Sequence, residues 1–431
     1  MKSRNSNRCH WLFQFGCALL ICSFSLLIVP HAHAAYPELI LRYQHYLFSL
    51  DPDAFPVWWT AEEDWTMDGI PIDPLPVFRV DGDQPPPLPK GVVRTSKLAW
   101  DRAAIRAVLQ ERIASQLDRA PGSVAIDRDG DGAVTFDGIG LPGRKVLIDQ
   151  AASLVIAALE QGVNDIILPV QEIQPSITVR DKDLRTLGIT EVITVGESNF
   201  SGSANARRHN IAVGLEQFNG TLIQPGEEFS FNQVLGPVNA STGYWQELVI
   251  LGERTLPDYG GGLCQVSTTA YRGAWEYGFP ITQRRNHSFA VRYYSPAGTD
   301  ATIYPPSADM KFLNDSGHAI LLQTYVDGDN AYYIYYGTDD GRQSEIIGPY
   351  TWGSMAPPPD RTEYTTDIPP GTTRKVGERV PGVHAAWFRA VRYPDQEEQI
   401  ESFYSIYEAR PYFLQIGVES TEKECTTLIC S

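Results

Sequence analysis

Apolar residues recur at helical spacing over two stretches in the first half of the chain. Ile105, Val108, Leu109, Ile113 and Leu117 fall on one side of a helix that ends before Pro121, and Ile148, Ala152, Leu154, Val155 and Leu159 predict a second. Between them, SVAIDRDGDGAVTFDGIG carries alternating apolar residues on both sides of a DGDG turn, the pattern of a β-hairpin. ILPVQEIQPSITVRDKDLRTLGI then returns to strand and turn signals, completing a helix, hairpin, helix, strand unit. From about Asn205 a short helix gives way to a Pro-Gly turn and strand-like segments. After Gly341 the signals are almost purely β, as in the alternating AWFRAVRY. Residues 36 to about 98 are rich in Pro, Trp and acidic groups and show no sustained period.

These patterns predict an α+β protein. A mixed α/β domain is expected at 205–342, preceded by a small α+β domain at 99–204 and followed by a small all-β accessory domain and tail at 343–431. Residues 35–98 form a Pro/Trp-rich segment to which no role is assigned.

The DGDG turn also resembles a calcium loop, since Asp127, Asp129 and Asp131 precede Gly132. The twelfth position is Gly138, where a bidentate Glu is required, so a plain hairpin is the better reading. No other metal site and no nucleotide loop is evident, and no cofactor is expected.

The chain has 431 residues, with 35 Lys plus Arg against 52 Asp plus Glu, a net charge of −17. That charge argues against nucleic acid as a partner. Lys2, Arg4 and Arg8 precede an apolar run from Trp11 to Val29 and the small-residue pattern Ala32-His33-Ala34, which reads as an export signal cleaved after Ala34. Removing it would leave no membrane-spanning segment and would take the charge from −17 to −20. Of six cysteines, Cys9, Cys17 and Cys22 would leave with the signal; Cys425 and Cys430 are close enough in sequence to close a small disulfide, so Cys264 would remain as an unpaired thiol.

Cys264 follows Gly260, Gly261 and Gly262, which permit a tight backbone path, and precedes QVSTTAYRGAWEY, which can form a helix. A thiol at a helix N-terminus is shifted toward thiolate by the dipole and the free N–H groups of the first turn. The same N–H groups, near Gln265, can receive an oxyanion, with the side chains of Gln265 or Gln246 as further candidates. His287 is the next histidine, expected at the start of a strand marked by Phe289, Val291 and Tyr293. Asp300 lies thirteen residues on, after the turn SPAGT, where an antiparallel hairpin would bring its carboxylate beside the imidazole. Arg284 and Arg285 are candidates for binding a substrate carboxylate. The bland alternative makes Cys264 a buried small hydrophobe and His287 and Asp300 structural groups.

Five segments in order, GPVNASTGY (236–244), GGGLCQVSTTAY (260–271), RRNHSFAVRYY (284–294), GTDATIYP (298–305) and DMKFLND (309–315), together resemble the VanW domain, a family associated with glycopeptide-resistance clusters. Residues 99–200 more loosely resemble the peptidoglycan-binding domain that often precedes it, and the C-terminal region resembles glycine-rich β modules that can follow it. The resemblance implies a secreted or cell-envelope protein acting on peptidoglycan, with stem peptides or glycan as partners, and a cysteine L,D-transpeptidase activity. In that reading Cys264 is the family cysteine and His287 its following histidine, while Asp300 as third member is inferred from its place in the GxDAT segment. Tyr271, a substrate-binding candidate, is retained, although AYRGAW replaces the family's usual LYNAA. Two other classes stay open: a non-catalytic peptidoglycan-binding surface protein, and a cysteine peptidase or amidase of the cell wall.

Overall fold

Asp101 opens the first helix by accepting the Ala104 N–H at 3.0 Å, and Arg102–Leu109 then runs on through a π turn to Leu117. Ile105, Leu109, Ile113 and Leu117 are all buried along it. Its packing partner is the helix Ile148–Gln161, closed by Gly162 in the left-handed region at φ 68°. Ala151, Ala152, Val155 and Leu159 make the buried face there, whereas Leu154 points to solvent. The structure is a computed structural model that describes residues 36–73, 88–251 and 254–419. The expected export signal and the Cys425/Cys430 pair fall outside the described residues.

The Pro/Trp-rich segment is not structureless. Leu39–Tyr43 and Tyr46–Leu50 form an antiparallel pair, and the first of them also pairs in parallel with Asp165–Ile167. Leu39, Leu41, Leu50 and Trp58 share one core with the two helices. The core of the two helices therefore also takes in side chains from before residue 99. These strands were invisible as alternation because they are five residues long, and the following hairpin, Trp59–Met67 with Val92–Trp100, is mostly exposed on both faces.

The DGDG hairpin is formed, with Ser123–Arg128 against Val134–Ile139. Asp129 Oδ1 accepts the N–H groups of Asp131 and Ala133, so this carboxylate shapes the turn. The hairpin covers one face of a four-stranded antiparallel sheet whose strands are Glu191–Asn199, Asn330–Gly337, Ile320–Asp327 and Leu222–Ile223, in that order. The period of two decides the sides: Tyr332, Ile334 and Tyr336 face the hairpin, while Ala331, Tyr333 and Tyr335 face the helix that carries Cys264.

That helix, Leu263–Tyr277, lies unusually close to the strand Glu191–Asn199. A Cβ on Gly196 would stand 1.9 Å from the Thr269 carbonyl oxygen, and one on Gly273 would stand 2.6 Å from Gly196 N. Tyr335 Oη donates to the Ala270 carbonyl at 2.6 Å, and Ser198 and Thr269 share a hydroxyl hydrogen bond of 2.6 Å.

Among the described residues after Gly341 the structure is almost wholly β, in two three-stranded sheets. One of them, Gln343–Met355, Gly382–Arg392 and Gln399–Tyr407, presses a face into the main core. Trp387 meets Trp275 edge-on at 5.4 Å, and Arg389 Nη1 donates to the carbonyls of Trp275 and Phe279 at the end of the cysteine helix. Among the described residues no helix is long and apolar enough to cross a membrane.

Candidate functional site

The approach to Cys264 uses glycines where other residues cannot go. Gly260 and Gly262 have φ of 79° and 115°, and a Cβ on Gly261 would meet the backbone of Glu247 at 2.9 Å. Gly262 caps the helix, which makes Cys264 its second residue. The sulfur is half-buried, 3.4 Å from Thr302 Oγ1 and 3.8 Å from the Ile303 carbonyl oxygen.

His287 interacts directly with this sulfur. Burial alone would push the thiol up, but hydrogen bonding and charge from His287, with help from Thr302 and Ile303, bring it down to about 7. Burial would lower the imidazole in turn, yet Asp300 and the Cys264 sulfur raise it to about 9. Between those values the pair is thiolate and imidazolium.

Asp300 holds the histidine. Its Oδ2 accepts the backbone N–H of His287 at 2.8 Å and lies 2.5 Å from Nδ1, leaving Nε2 as the other ring nitrogen. Its Oδ1 accepts from Arg284 Nη2 at 3.2 Å and from the Tyr407 hydroxyl. Burial opposes ionisation, but hydrogen bonds and charge from His287 and the Arg284 guanidinium hold the carboxyl far below the usual carboxylate range. Tyr294 stacks on the imidazole with ring centres 4.6 Å apart.

The expected hairpin does not form. Residues 284–291 and 299–303 are irregular, joined by one backbone bond from Thr302 N to the Arg285 carbonyl at 2.8 Å. The histidine segment is anchored instead to the C-terminal sheet, through Glu408 N to the Ser288 carbonyl at 2.7 Å and Asn286 Nδ2 to the Ile406 carbonyl at 2.8 Å. Side chains, not a strand ladder, bring His287 and Asp300 together.

The remaining candidates are placed differently. Arg284 has a side chain only 6% exposed, with its donors on Asp300, Gly298 and Ser405, so it is a brace for Asp300 and has no fork turned to a substrate carboxylate. Tyr271 lies wholly buried beneath that guanidinium, 5.3 Å from it. Arg285 is exposed. The Gln265 amide N–H already donates to the Gly262 carbonyl, and its side chain joins Arg207 and Asn199. Gln246 is exposed on a strand, opposite Tyr259.

Residues 206–335 match the family model described as VanW like protein. That stretch is similar to the VanW domain. The chain is 31% identical over 179 residues to the uncharacterized protein YoaR of Bacillus subtilis, and 29% identical over 144 residues to a vancomycin B-type resistance protein, VanW, of Enterococcus faecalis. These alignments cover 42% and 32% of this chain, and 58% and 46% of the two relatives, so the chain spans about half the length of each. Cys264, His287 and Asp300 all fall inside the VanW-like domain, as does Thr302, which sits in the quoted GTDATIYP segment but was not singled out. Tyr407 lies outside it, 107 residues beyond Asp300, with no local sequence signal of its role.

Proposed function

We propose that this protein is an exported cell-envelope enzyme that forms peptidoglycan cross-links as a cysteine L,D-transpeptidase acting on stem peptides. The observation that carries the reading is the connected series Cys264, His287, Asp300, with a half-buried sulfur at one end and a fully braced carboxylate at the other. The likeness to a vancomycin resistance protein supports a cell-wall setting.

In the reaction, the Cys264 thiolate attacks a carbonyl carbon of the donor stem peptide, and the tetrahedral oxyanion is met at the helix start by the Cys264 N–H, since the Leu263 and Gln265 N–H groups donate to Gly260 and Gly262. The C–N bond breaks as the His287 imidazolium, through Nε2, gives its proton to the departing amine, leaving a thioester on Cys264 and a neutral imidazole. An acceptor amine then loses a proton to His287 and attacks the thioester carbon, expelling the thiolate and closing the cross-link. Asp300 keeps Nδ1 protonated throughout, so Nε2 is the atom that exchanges protons.

The test incubates the protein, wild type and Cys264→Ala, with disaccharide-tetrapeptide and reads products by mass spectrometry. Cross-linked dimers that vanish in the variant are expected. Cysteine-dependent shortening without dimers would make it a hydrolase, and binding without products from either protein would make it a wall-binding protein.

A further inference from the structure

A second polar site lies at the far end of the cysteine helix. Cys264 and Glu276 are separated by twelve residues of one helix, roughly 18 Å at the helical rise. Around Glu276 opens a cavity of about 580 Å³, walled by Arg42, Arg144, Glu197, Glu276, Arg342 and Ser344. It sits where the N-terminal hairpin meets the VanW-like domain: His45 donates its N–H to Glu276 Oε1 at 3.2 Å, its Nδ1 lies 2.5 Å from the same oxygen, and Tyr46 Oη donates to Glu197 at 2.8 Å.

The polar inventory of this cavity is incomplete. Arg144 Nη1 and Glu276 Oε2 are buried, on side chains 5% and 3% exposed, and neither has a hydrogen-bond partner; Arg42 Nε and Ser344 Oγ are in the same position. Buried polar atoms are rarely left alone, because each such atom costs about 1–3 kcal/mol. Four orphans on the wall of one cavity, donors and an acceptor together, describe the outline of something polar that fills it.

Charge narrows the class. Glu197 is the one carboxylate facing both Arg119, at 2.9 Å, and Arg144, at 3.0 Å. Burial pushes the Glu276 carboxyl up to about 8, and burial also drives His45 well below its ordinary value, so that pair adds no net charge near neutrality. The inner end is therefore positive, by one guanidinium on its wall and by the buried Arg272, which stands behind Glu276 and His45 and gives its donors to carbonyls and a hydroxyl, while the exposed Glu172, Asp339 and Glu345 make the mouth acidic. A simple anion suits the floor and is repelled at the mouth; a ligand carrying both signs suits both.

We propose that this cavity binds a small molecule presenting a carboxylate beside an N–H, a free α-amino acid or the terminal residue of a short peptide, with Arg144 taking the carboxylate and Glu276 Oε2 accepting the N–H. The site is separate from Cys264 and does not depend on catalysis there. It is coupled to the same scaffold, since Arg272 donates from one guanidinium to the Glu197 carbonyl and to Thr299, the neighbour of Asp300.

Titration calorimetry on the Cys264→Ala protein tests this, with glycine, glycylglycine, acetate and methylamine as probes. Glycine or glycylglycine is expected to bind, the stronger of the two naming the source, and acetate and methylamine are expected to bind at least about tenfold more weakly, the worth of one lost charged hydrogen bond. Glu276→Gln should weaken that binding about tenfold by turning an acceptor toward the ligand into a donor. Ser344→Phe, on the cavity wall, should abolish it and serves if Glu276→Gln fails to fold. No binding of either amino-acid probe at about 10 mM, acetate binding as well as glycine, or unchanged binding in a folded Ser344→Phe protein would each overturn the proposal.

Discussion

The hydroxyl of Tyr407 donates to Asp300 Oδ1 while accepting the Gly298 N–H at 2.8 Å, so a residue of the C-terminal sheet completes the coordination of the carboxylate that holds His287. Tyr407→Phe removes one donor from Asp300 and leaves the Gly298 N–H without its acceptor, at a cost of about 1–3 kcal/mol in stability. The less neutralised carboxylate should hold the imidazolium more tightly. The expected signature is an upward shift of the His287 titration followed by NMR, together with about a tenfold lower rate of acyl transfer. A fall in melting temperature with an unmoved His287 titration would reduce Tyr407 to a packing residue.

Reactivity of Cys264 should follow its own ionisation. The thiol is lowered from 9.0 to about 7, so alkylation by iodoacetamide should rise as pH climbs through about 7 and level off above it. The imidazole is raised from 6.5 to about 9, so acyl transfer, which needs its proton for the departing amine, should fall again as pH climbs through about 9. The two limbs belong to the coupled pair. In His287→Gln the alkylation limb should move back toward or above 9.0, because burial then acts on the thiol without an opposing charge. A limb that stays near 7 in that variant would show that the helix and Thr302, not His287, activate the sulfur.

Much of this site was legible and one part was not. Three consecutive glycines before Cys264 announced the turn into a helix, and the cap is Gly262 at φ 115°. The spacing of thirteen from His287 to Asp300 announced their proximity, but for the wrong reason. Phe289, Val291 and Tyr293 alternate without a strand partner: Phe289 is buried with Arg410 4.3 Å over its ring, and Tyr293 lies 4.3 Å beneath Arg207. Alternate anchoring on side chains imitates the period of a strand. Arg284 read as a candidate for a substrate carboxylate because a sequence does not show where five donors will be used; here they go to Asp300, Gly298 and Ser405. Tyr407 and the Leu39–Tyr43 strand depend on contacts across more than a hundred residues, which no local period encodes.

The pairing of Gly196 with Gly273 sets how close the cysteine helix lies to the central sheet. Gly196→Ala would place a methyl group 1.9 Å from the Thr269 carbonyl oxygen, a contact that only movement of the helix can relieve. Overpacking of this kind costs about 1–3 kcal/mol, and thermal unfolding should register it as a lower midpoint. Because the displaced helix carries Cys264 as its second residue, the variant should also alkylate with an altered pH profile. An unchanged midpoint would mean that the helix and strand have room the backbone geometry denies.

Arg389 decides whether the C-terminal sheet is a separable accessory or part of the scaffold that carries Cys264. It is fully buried, donates to the Trp275 and Phe279 carbonyls at the end of the cysteine helix, and pairs with Glu401 in its own sheet. Arg389→Met keeps most of the side-chain volume but leaves the Phe279 carbonyl without its donor and Glu401 without its cation, although the Trp275 carbonyl keeps the Gly278 N–H at 3.2 Å and Glu401, 41% exposed, can turn to water. The Phe279 carbonyl cannot, so the expected loss is about 1–3 kcal/mol, the cost of one buried acceptor left unpaired. A separable domain would melt in its own transition and leave the VanW-like domain unaffected. A shared core, with Trp387 packed on Trp275, should instead lose one cooperative transition as a whole, and calorimetry distinguishes a single lowered peak from two.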